Sequence, residues 1–446
     1  MEEPRPNSPS HAAPEEAPAP SAVAATNLWS RYRRLPPNVL AIGLVSLLND
    51  AASEIIYPLL PLFLALTLGS SPAAIGLIEG TAESVSSLLK LFAGYFSDRW
   101  GRRKGLVVFG YALAGLTRPL LAFAGSWHEV LGLRFTDRVG KGLRSAPRDA
   151  MIADAAPAAE RGIAFGFHRA MDHFGAVIGP LFGLAVLYLV ADRMSAPTAG
   201  EYQKVFLFAA IPSAAAVLVA AFLVRESLPG EETRNAPGNP APEESAPRFS
   251  LRGFDGNFKR FLALVALFTL SNSSDAFLIL RAQTAGVGVG WIPLLWAALH
   301  VSRVLSSLVG GDLSDRLGRK TLIVSGWALY AAVYAGFAFV STPSAAWALF
   351  LIYGVYSGLA EGAEKALVAD LVPSPRQRGA AFGLYNLAFG ITVLPASLLM
   401  GALWNWRGPR VAFLASAVIG LVAAALLILT VDGRPTNQEA NNAVVG

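Results

Sequence analysis

The sequence predicts an all-α polytopic membrane protein, with twelve spans arranged as two related sets of six. Three observations carry that expectation. Of 446 residues, 54% are hydrophobic and 15% charged, against about 45–50% and about 25% in soluble domains. Long apolar stretches recur from residue 38 onward, each near the ~20 residues that a bilayer core demands. Segments of the first half also return in the second, 217 residues later. Such a composition excludes an ordinary cytosolic enzyme and a single-span anchor carrying a soluble head. The absence of cysteine excludes a secreted disulfide scaffold.

Residues 1–37 are rich in Pro, Ala, Ser and Glu and read as a disordered cytoplasmic tail. Acids stand where the basic region of a signal peptide belongs, so none is expected there. The first six spans fall at 39–66, 73–96, 105–125, 128–149, 163–190 and 204–224, within a bundle over 38–224. A polar, Pro-rich stretch over 225–258 reads as a cytoplasmic linker. The second bundle, 259–431, holds spans at 259–281, 291–313, 321–341, 345–369, 379–402 and 409–431, and a short tail occupies 432–446.

Loop charge sets the orientation. Arg31, Arg33 and Arg34 precede the first span; Arg99, Arg102, Arg103 and Lys104 follow the second; Arg316, Arg319 and Lys320 follow the eighth. The loops near 67–72, 126–127 and 341–344 hold no Lys or Arg, and Arg193, Lys204, Arg281, Arg407 and Arg410 are a minority elsewhere. The positive-inside rule puts both termini in the cytoplasm of a cell whose inner membrane the chain spans. The net charge of +5 is thereby a matter of topology, and no nucleic-acid partner is expected.

The repeat is legible in sequence. GYFSDRWGRRK starts at Gly94 and GDLSDRLGRK at Gly311, while RGIAFG (161–166) returns as RGAAFG (378–383). GLRSAPRDAMIAD (142–154) aligns with GLAEGAEKALVAD (358–370) at an offset of 216. Two similar six-helix halves, related about an axis along the membrane normal, follow, with the default binding site at the midplane between them.

Both copies of the Gly94 segment resemble the loop 2/3 signature of the major facilitator superfamily (MFS), and the resemblance extends over 38–431. It implies the MFS fold in two pseudo-symmetric bundles, rocker-switch alternating access and a monomer. It also implies a conformational latch at Gly94, Asp98, Arg99, Gly101 and Arg102 and at Gly311, Asp315, Arg316, Gly318 and Arg319. Physically, Gly94 and Gly311 permit close helix approach, and the two aspartates end their helices, where they can meet a helix N-terminus or an arginine. Gly101 and Gly318 make the turn. In the fifth span, Gly166, Gly175, Gly179, Pro180 and Gly183 are similar to the antiporter signature of superfamily exporters. Glycines four apart give a flat helix face and Pro180 a bend.

Charge inside the spans points to function, because it is costly there unless it faces partners or water. Arg134, Arg138, Lys141, Ser145 and Arg148 share a face of the fourth span. Arg138 with Gly142 resembles the superfamily's R-x-x-Q-G motif, whose arginine is linked to proton transfer. Arg144 and Arg148 read as charges at the cytoplasmic end. Asp50 and Glu54 share a face of the first span, Glu79 and Glu83 one of the second, and His168 and Asp172 stand four apart in the fifth. A carboxylate removed from bulk water favours its protonated form, which suits proton uptake and release. Asp50 and Asp172 are therefore the candidates for proton coupling, with Arg138 modulating. Arg118, Asp275 and Glu361 complete the candidate cavity set, and Glu361 with Lys365 forms an i, i+4 pair. Tyr353, Tyr356, Tyr385, Asn386, Trp291 and Trp296 are cavity candidates, although tryptophans near membrane ends are commonly interface anchors. No metal site, cofactor or catalytic residue is expected, and no nucleotide-binding motif occurs.

The leading expectation is a proton-coupled exporter of a small organic compound. Uptake of an organic anion or metabolite, by proton symport or facilitated diffusion, is the alternative within transport. A non-transporting receptor on the same fold is the alternative outside it.

Overall fold

A computed structural model describes residues 34–100, 103–157, 161–226, 251, 253–372 and 375–432. The expected N-terminal tail, nearly all of the linker and the C-terminal tail lie outside the described residues. Twelve helical passes run through the described chain: α1 Pro37–Thr67, α2 Pro72–Trp100, α3 Arg103–Phe123, α4 Trp127–Ala155, α5 Arg161–Val190 and α6 Ala199–Phe222. They continue as α7 Gly256–Thr284, α8 Ile292–Leu317, α9 Arg319–Phe339, α10 Pro343–Leu371, α11 Pro375–Arg407 and α12 Pro409–Thr430. Ten are long and apolar enough to cross a membrane by composition alone. The passes that fall short, α2 and α4, carry Glu79 and Glu83 and Arg134, Arg138 and Lys141 respectively.

Local chemistry sets the boundaries. Proline opens α1, α10 and α12 at a first turn, where its missing N–H costs nothing. Ser126 caps α4, and Asp255 caps α7 by accepting from the Asn257 N–H at 2.8 Å. Gly318, at φ +88°, makes the tight turn between α8 and α9. Pro58 and Pro61 interrupt α1 beyond Ile56, and α7 opens at Asn272–Asp275. Pro180 lies inside α5, which continues through it, and one sequence expectation is modified: α2 reaches Trp100 rather than ending near residue 96.

Helices α1–α6 form one half and α7–α12 the other. Each half is fastened at the same end by an asparagine. Asn38 at the start of α1 exchanges two hydrogen bonds with the backbone of Arg225 beyond α6, at 3.1 and 2.8 Å. Asn257 at the start of α7 does the same with Asp432 beyond α12, at 2.8 and 3.0 Å. These clasps mark the chain-end side of the molecule; the opposite side is called the far side.

On the chain-end side, the Gly94 loop and its repeat are tied alike. Arg103 pairs with Asp154 at the end of α4, and Arg319 with Asp370 at the end of α10, at 3.5 Å. Both members of each pair match at the 216 offset. The N-terminus of α3 is capped by Glu226, whose carboxylate accepts from the N–H groups of Arg103 and Lys104 at 2.8 and 3.1 Å. Gly101 and Arg102 lie outside the described residues, as do the side chains of Asp98, Arg99 and Asp315 and the surroundings of Gly94 and Gly311.

The halves meet along two seams, α2 with α11 and α5 with α8. On the far side, the Gly290 N–H donates to the Met194 carbonyl at 2.9 Å, and a Cβ at Gly401 would stand 2.7 Å from the Pro72 carbonyl oxygen. On the chain-end side, Gly166 of α5 has no neighbour within 4 Å of where its Cβ would be. The structure is closed at the far side and opens toward the chain ends.

A polar cavity between the two halves

Within the first half, α1–α4 bury a lattice of ion pairs. Glu79 takes a bidentate contact from Arg134, with Nη2 at 2.7 Å from Oε2 and Nε at 3.1 Å from Oε1. Asp137 faces Arg118 at 3.2 Å, Arg138 at 3.8 Å and Arg134 at 3.9 Å. Arg118 also donates to the carbonyl and the side-chain oxygen of Asn49, at 3.0 and 2.9 Å, and Asn49 donates to Asp50 at 2.8 Å. Glu79, Arg118, Arg134 and Asp137 are about as buried as core residues, at 4–5% exposure. A charge that deep persists only when paired, and removing one partner costs about 3–5 kcal/mol. Arg118 and Arg134 therefore belong to a structural lattice, whereas Glu79 both holds Arg134 and lines a pocket of the cavity region. Asp137 and Asn49, at its centre, are not among the sequence candidates.

Toward the chain ends the lattice gives way to a cavity of about 430 Å³. Lys90, Lys141, Arg144 and Arg148 line it together with Asp50, Asp149, Asp172 and, from the second half, Asn386. Arg144 and Arg148 are thus not end charges. Arg144 is only 3% exposed, lies 4.6 Å over the Tyr111 ring and donates to the Gly110 carbonyl at 3.3 Å. Asp172 stands 3.5 Å from His168 Nδ1, and His168 Nε2 shares a hydrogen bond with Ser46 at 2.7 Å.

The glycines of α5 explain why Asp50 and Asp172 are neighbours. A Cβ at Gly175 would fall 2.5 Å from the Leu47 carbonyl oxygen and 3.1 Å from Asp50 Cβ; one at Gly179 would fall 2.5 Å from the Ala51 carbonyl oxygen. Gly183 meets Ile55 in the same way. These three press α5 onto α1, whereas Gly166 lines open space.

In the second half, Asp275 at the break in α7 accepts from the Tyr353 hydroxyl at 2.6 Å and lies 3.5 Å from Arg303. With Tyr57, Glu79, Glu83 and Tyr356 it lines a pocket of about 220 Å³. Glu364 accepts from the Trp327 indole at 2.8 Å and from the Tyr385 hydroxyl at 2.7 Å, beside a further pocket of about 280 Å³. Glu361 and Lys365 pair with each other at 2.8 Å, as their spacing predicts.

The halves also touch at mid-depth. Trp296 of α8 donates to Glu54 of α1 at 2.7 Å, and its ring lies 5.1 Å from that of Tyr57. Trp296 is accordingly a buried bridge, whereas Trp291 stays 60% exposed. A fourth pocket, of about 710 Å³, lies between α5 and α8. It shares Asp172 with the charged cavity and adds Arg169, Arg303 and Lys365 against Glu361. Counted with the pocket beside Asp275, which shares Arg303, the cationic side chains and carboxylates lining these spaces balance.

A charged cavity between two repeated six-helix halves, closed on one side, is the geometry of an alternating-access carrier. A family model described as Major Facilitator Superfamily matches residues 42–373 and 289–445. The chain is 34% identical over 402 residues to an uncharacterised MFS-type transporter of Methanocaldococcus jannaschii, covering 89% of this chain and 95% of that one. It is 26% identical over 371 residues to the fosmidomycin resistance protein of Escherichia coli, covering 80% and 84%. Among solved structures, an inward-facing, occupied bacterial homologue of the human lysosomal transporter Spinster aligns with a TM-score of 0.71. That alignment covers 91% of this chain and 97% of the other at 17% identity, and bears on the fold alone. Fold, repeat and relatives agree: the chain is a multi-pass membrane transporter of the secondary kind, and it belongs to the Major Facilitator Superfamily.

Proposed function

We propose that the protein is a proton-coupled exporter of a small organic compound, working by rocker-switch exchange between its two halves. The observation that carries this reading is the pair Asp50 and Asp172, on adjoining helices, at the wall of a cavity also lined by Lys90, Lys141 and Arg148. Protonating either carboxylate removes the anion that competes for those cations. Proton and substrate occupancy then become linked through the same charges, as antiport requires. Glu54, bridged to Trp296 across the halves, is the third acid of this reading, and Arg138, close to Asp137, is its modulating cation.

The basic loops favour an inner-membrane orientation with the chain ends in the cytoplasm. On that orientation the structure is the cytoplasm-open state, ready to load a substrate for export. The E. coli relative is a resistance protein, which accords with export. The glycine series of α5 accords with it too, since it holds Asp172 against α1. We take the monomer as the working unit.

The test begins with a thermal-stabilisation screen for ligands, since a ligand that prefers the folded state raises its stability with occupancy. Flux of a hit into proteoliposomes under an imposed pH gradient follows. Asp50→Asn and Asp172→Asn should leave binding intact and remove gradient-driven flux. Unchanged gradient dependence in both variants would sink the coupling assignment. A well-folded wild type that binds ligand but moves none would point to a receptor.

A further inference from the structure

The 216 offset that matches α4 with α10 holds in space as well as in sequence. A Cβ on Gly110 of α3 would meet Arg144 Cβ of α4 at 2.8 Å, and one on Gly326 of α9 would meet Ala360 Cβ of α10 at 3.0 Å. Both glycines, and both residues that they meet, stand 216 apart. The two helix crossings are therefore equivalent, and side chains at matching positions can be compared. Lys141, Arg144 and Arg148 line the charged cavity. Their counterparts are Ser357, Ala360 and Glu364. Three cations of the first half become a hydroxyl, a methyl group and a carboxylate in the second.

Among the described residues, Glu364 has no cation at ion-pair distance. Its two oxygens accept from the Trp327 indole at 2.8 Å and the Tyr385 hydroxyl at 2.7 Å, and both donors are neutral. Its charged neighbours on α10, Glu361 and Lys365, pair with each other at 2.8 Å. Other carboxylates of the region are engaged. Glu79 holds Arg134 at 2.7 Å, Asp275 lies 3.5 Å from Arg303, and Glu83 lies in the field of Lys141, Arg138 and Lys90. The pocket of about 280 Å³ beside Glu364 is lined by the rings of Phe268, Tyr356, Tyr385 and Phe389. A carboxylate held in such surroundings is costly without a counter-ion. Ring faces attract positive charge, so a carboxylate oriented among them suits a weakly hydrated organic cation. A hard metal ion wants about six oxygen ligands, which a wall of rings does not supply.

We propose that this pocket of the second half is a subsite for an organic ammonium group carried by the substrate, with Glu364 as its counter-ion. The proposal rests on the export reading and deepens it, by naming a group that the exported compound bears. The central space is then polarised, with the cations of α4 on the first-half wall and Glu364 with its rings on the second. A ligand is sorted by the local partner that each of its groups meets. Binding is measured without a pH gradient, so the subsite and the coupling assignment fail separately.

The experiment compares choline with 3,3-dimethylbutan-1-ol, its uncharged isostere, by titration calorimetry on the full chain in nanodiscs, with empty nanodiscs subtracted. Choline should bind wild type saturably and at least about tenfold more tightly than the alcohol, as a desolvated charge pair with ring contacts requires. Glu364→Gln keeps the side chain's size and removes its charge, and should bring choline down to the affinity of the alcohol. Phe389→Leu keeps the wall apolar and removes a ring. It should weaken choline about threefold with the alcohol little changed, and it tests the subsite even if Glu364→Gln does not fold. Wild type that binds no choline saturably, or binds it no better than the alcohol, overturns the subsite. So does an affinity for choline unchanged in folded Glu364→Gln or in Phe389→Leu. Displacement of choline by sodium at equal concentration and constant ionic strength overturns the organic-cation class.

Discussion

Three guanidinium groups converge on Asp137, from Arg118, Arg134 and Arg138. Asp137→Asn would leave them facing one another in a medium that cannot screen them. It should lower stability by about 3–5 kcal/mol, read as an earlier thermal transition in detergent. Glu361→Gln, which breaks the solvent-accessible pair with Lys365, should change stability by no more than about 0.5 kcal/mol. If both variants melt alike, the buried lattice is not the structural element described. At this scale the sequence exposed the ionisable residues but not their employment. Arg134 and Arg148 share a helix face by spacing, yet Arg134 is locked to Glu79 while Arg148 lines the cavity. Spacing along one helix says nothing of what a neighbouring helix brings. That is why spacing alone singles out neither Asp137 nor Asn49 and places Arg144 at the helix end.

Among elements, α5 makes the sharpest case. Its glycines look alike in sequence but separate in space into those that touch α1 and one that touches nothing. Gly179→Ala would place a methyl group 2.5 Å from the Ala51 carbonyl oxygen. That overpacking should cost about 1–3 kcal/mol. Gly166→Ala, with open space around it, should stay within about 0.5 kcal/mol of wild type. Thermal unfolding of the two variants side by side checks the difference, and equal losses would contradict the assigned packing. Helix positions were legible almost throughout, because a span needs apolar length and its ends need proline, glycine or a cap. The opening of α7 at Asn272–Asp275 lies within an apolar span, although its run of Ser, Asn and Asp favours turns and caps over helix interior. Asp275 is held by Tyr353 and Arg303 from other helices.

For the whole molecule, closure on the far side is the feature that a single bond can interrogate. Met194 and Gly290 lie in different halves, and a Cβ on Gly290 would be 3.0 Å from that of Met194. Met194→Cys with Gly290→Cys, in a chain otherwise free of thiols, should form a disulfide after a small adjustment. Oxidised protein should then keep ligand binding from the chain-end side and lose flux, and reductant should restore the flux. Flux that persists in the cross-linked protein would show that the far side need not open.

The sequence alone determined the twelve passes, the repeat, the family resemblance and the inventory of intramembrane charge. Each of these is written in local composition or in recurrence along the chain. Tertiary structure alone decided which charges are locked together and which face the cavity, and that the two repeat-equivalent seams pack differently. Those outcomes depend on pairs of residues far apart in the chain. A hydrogen-bonded ion pair needs contact within about 4 Å and helix contact turns on single methyl groups, so only the packed helices could settle them.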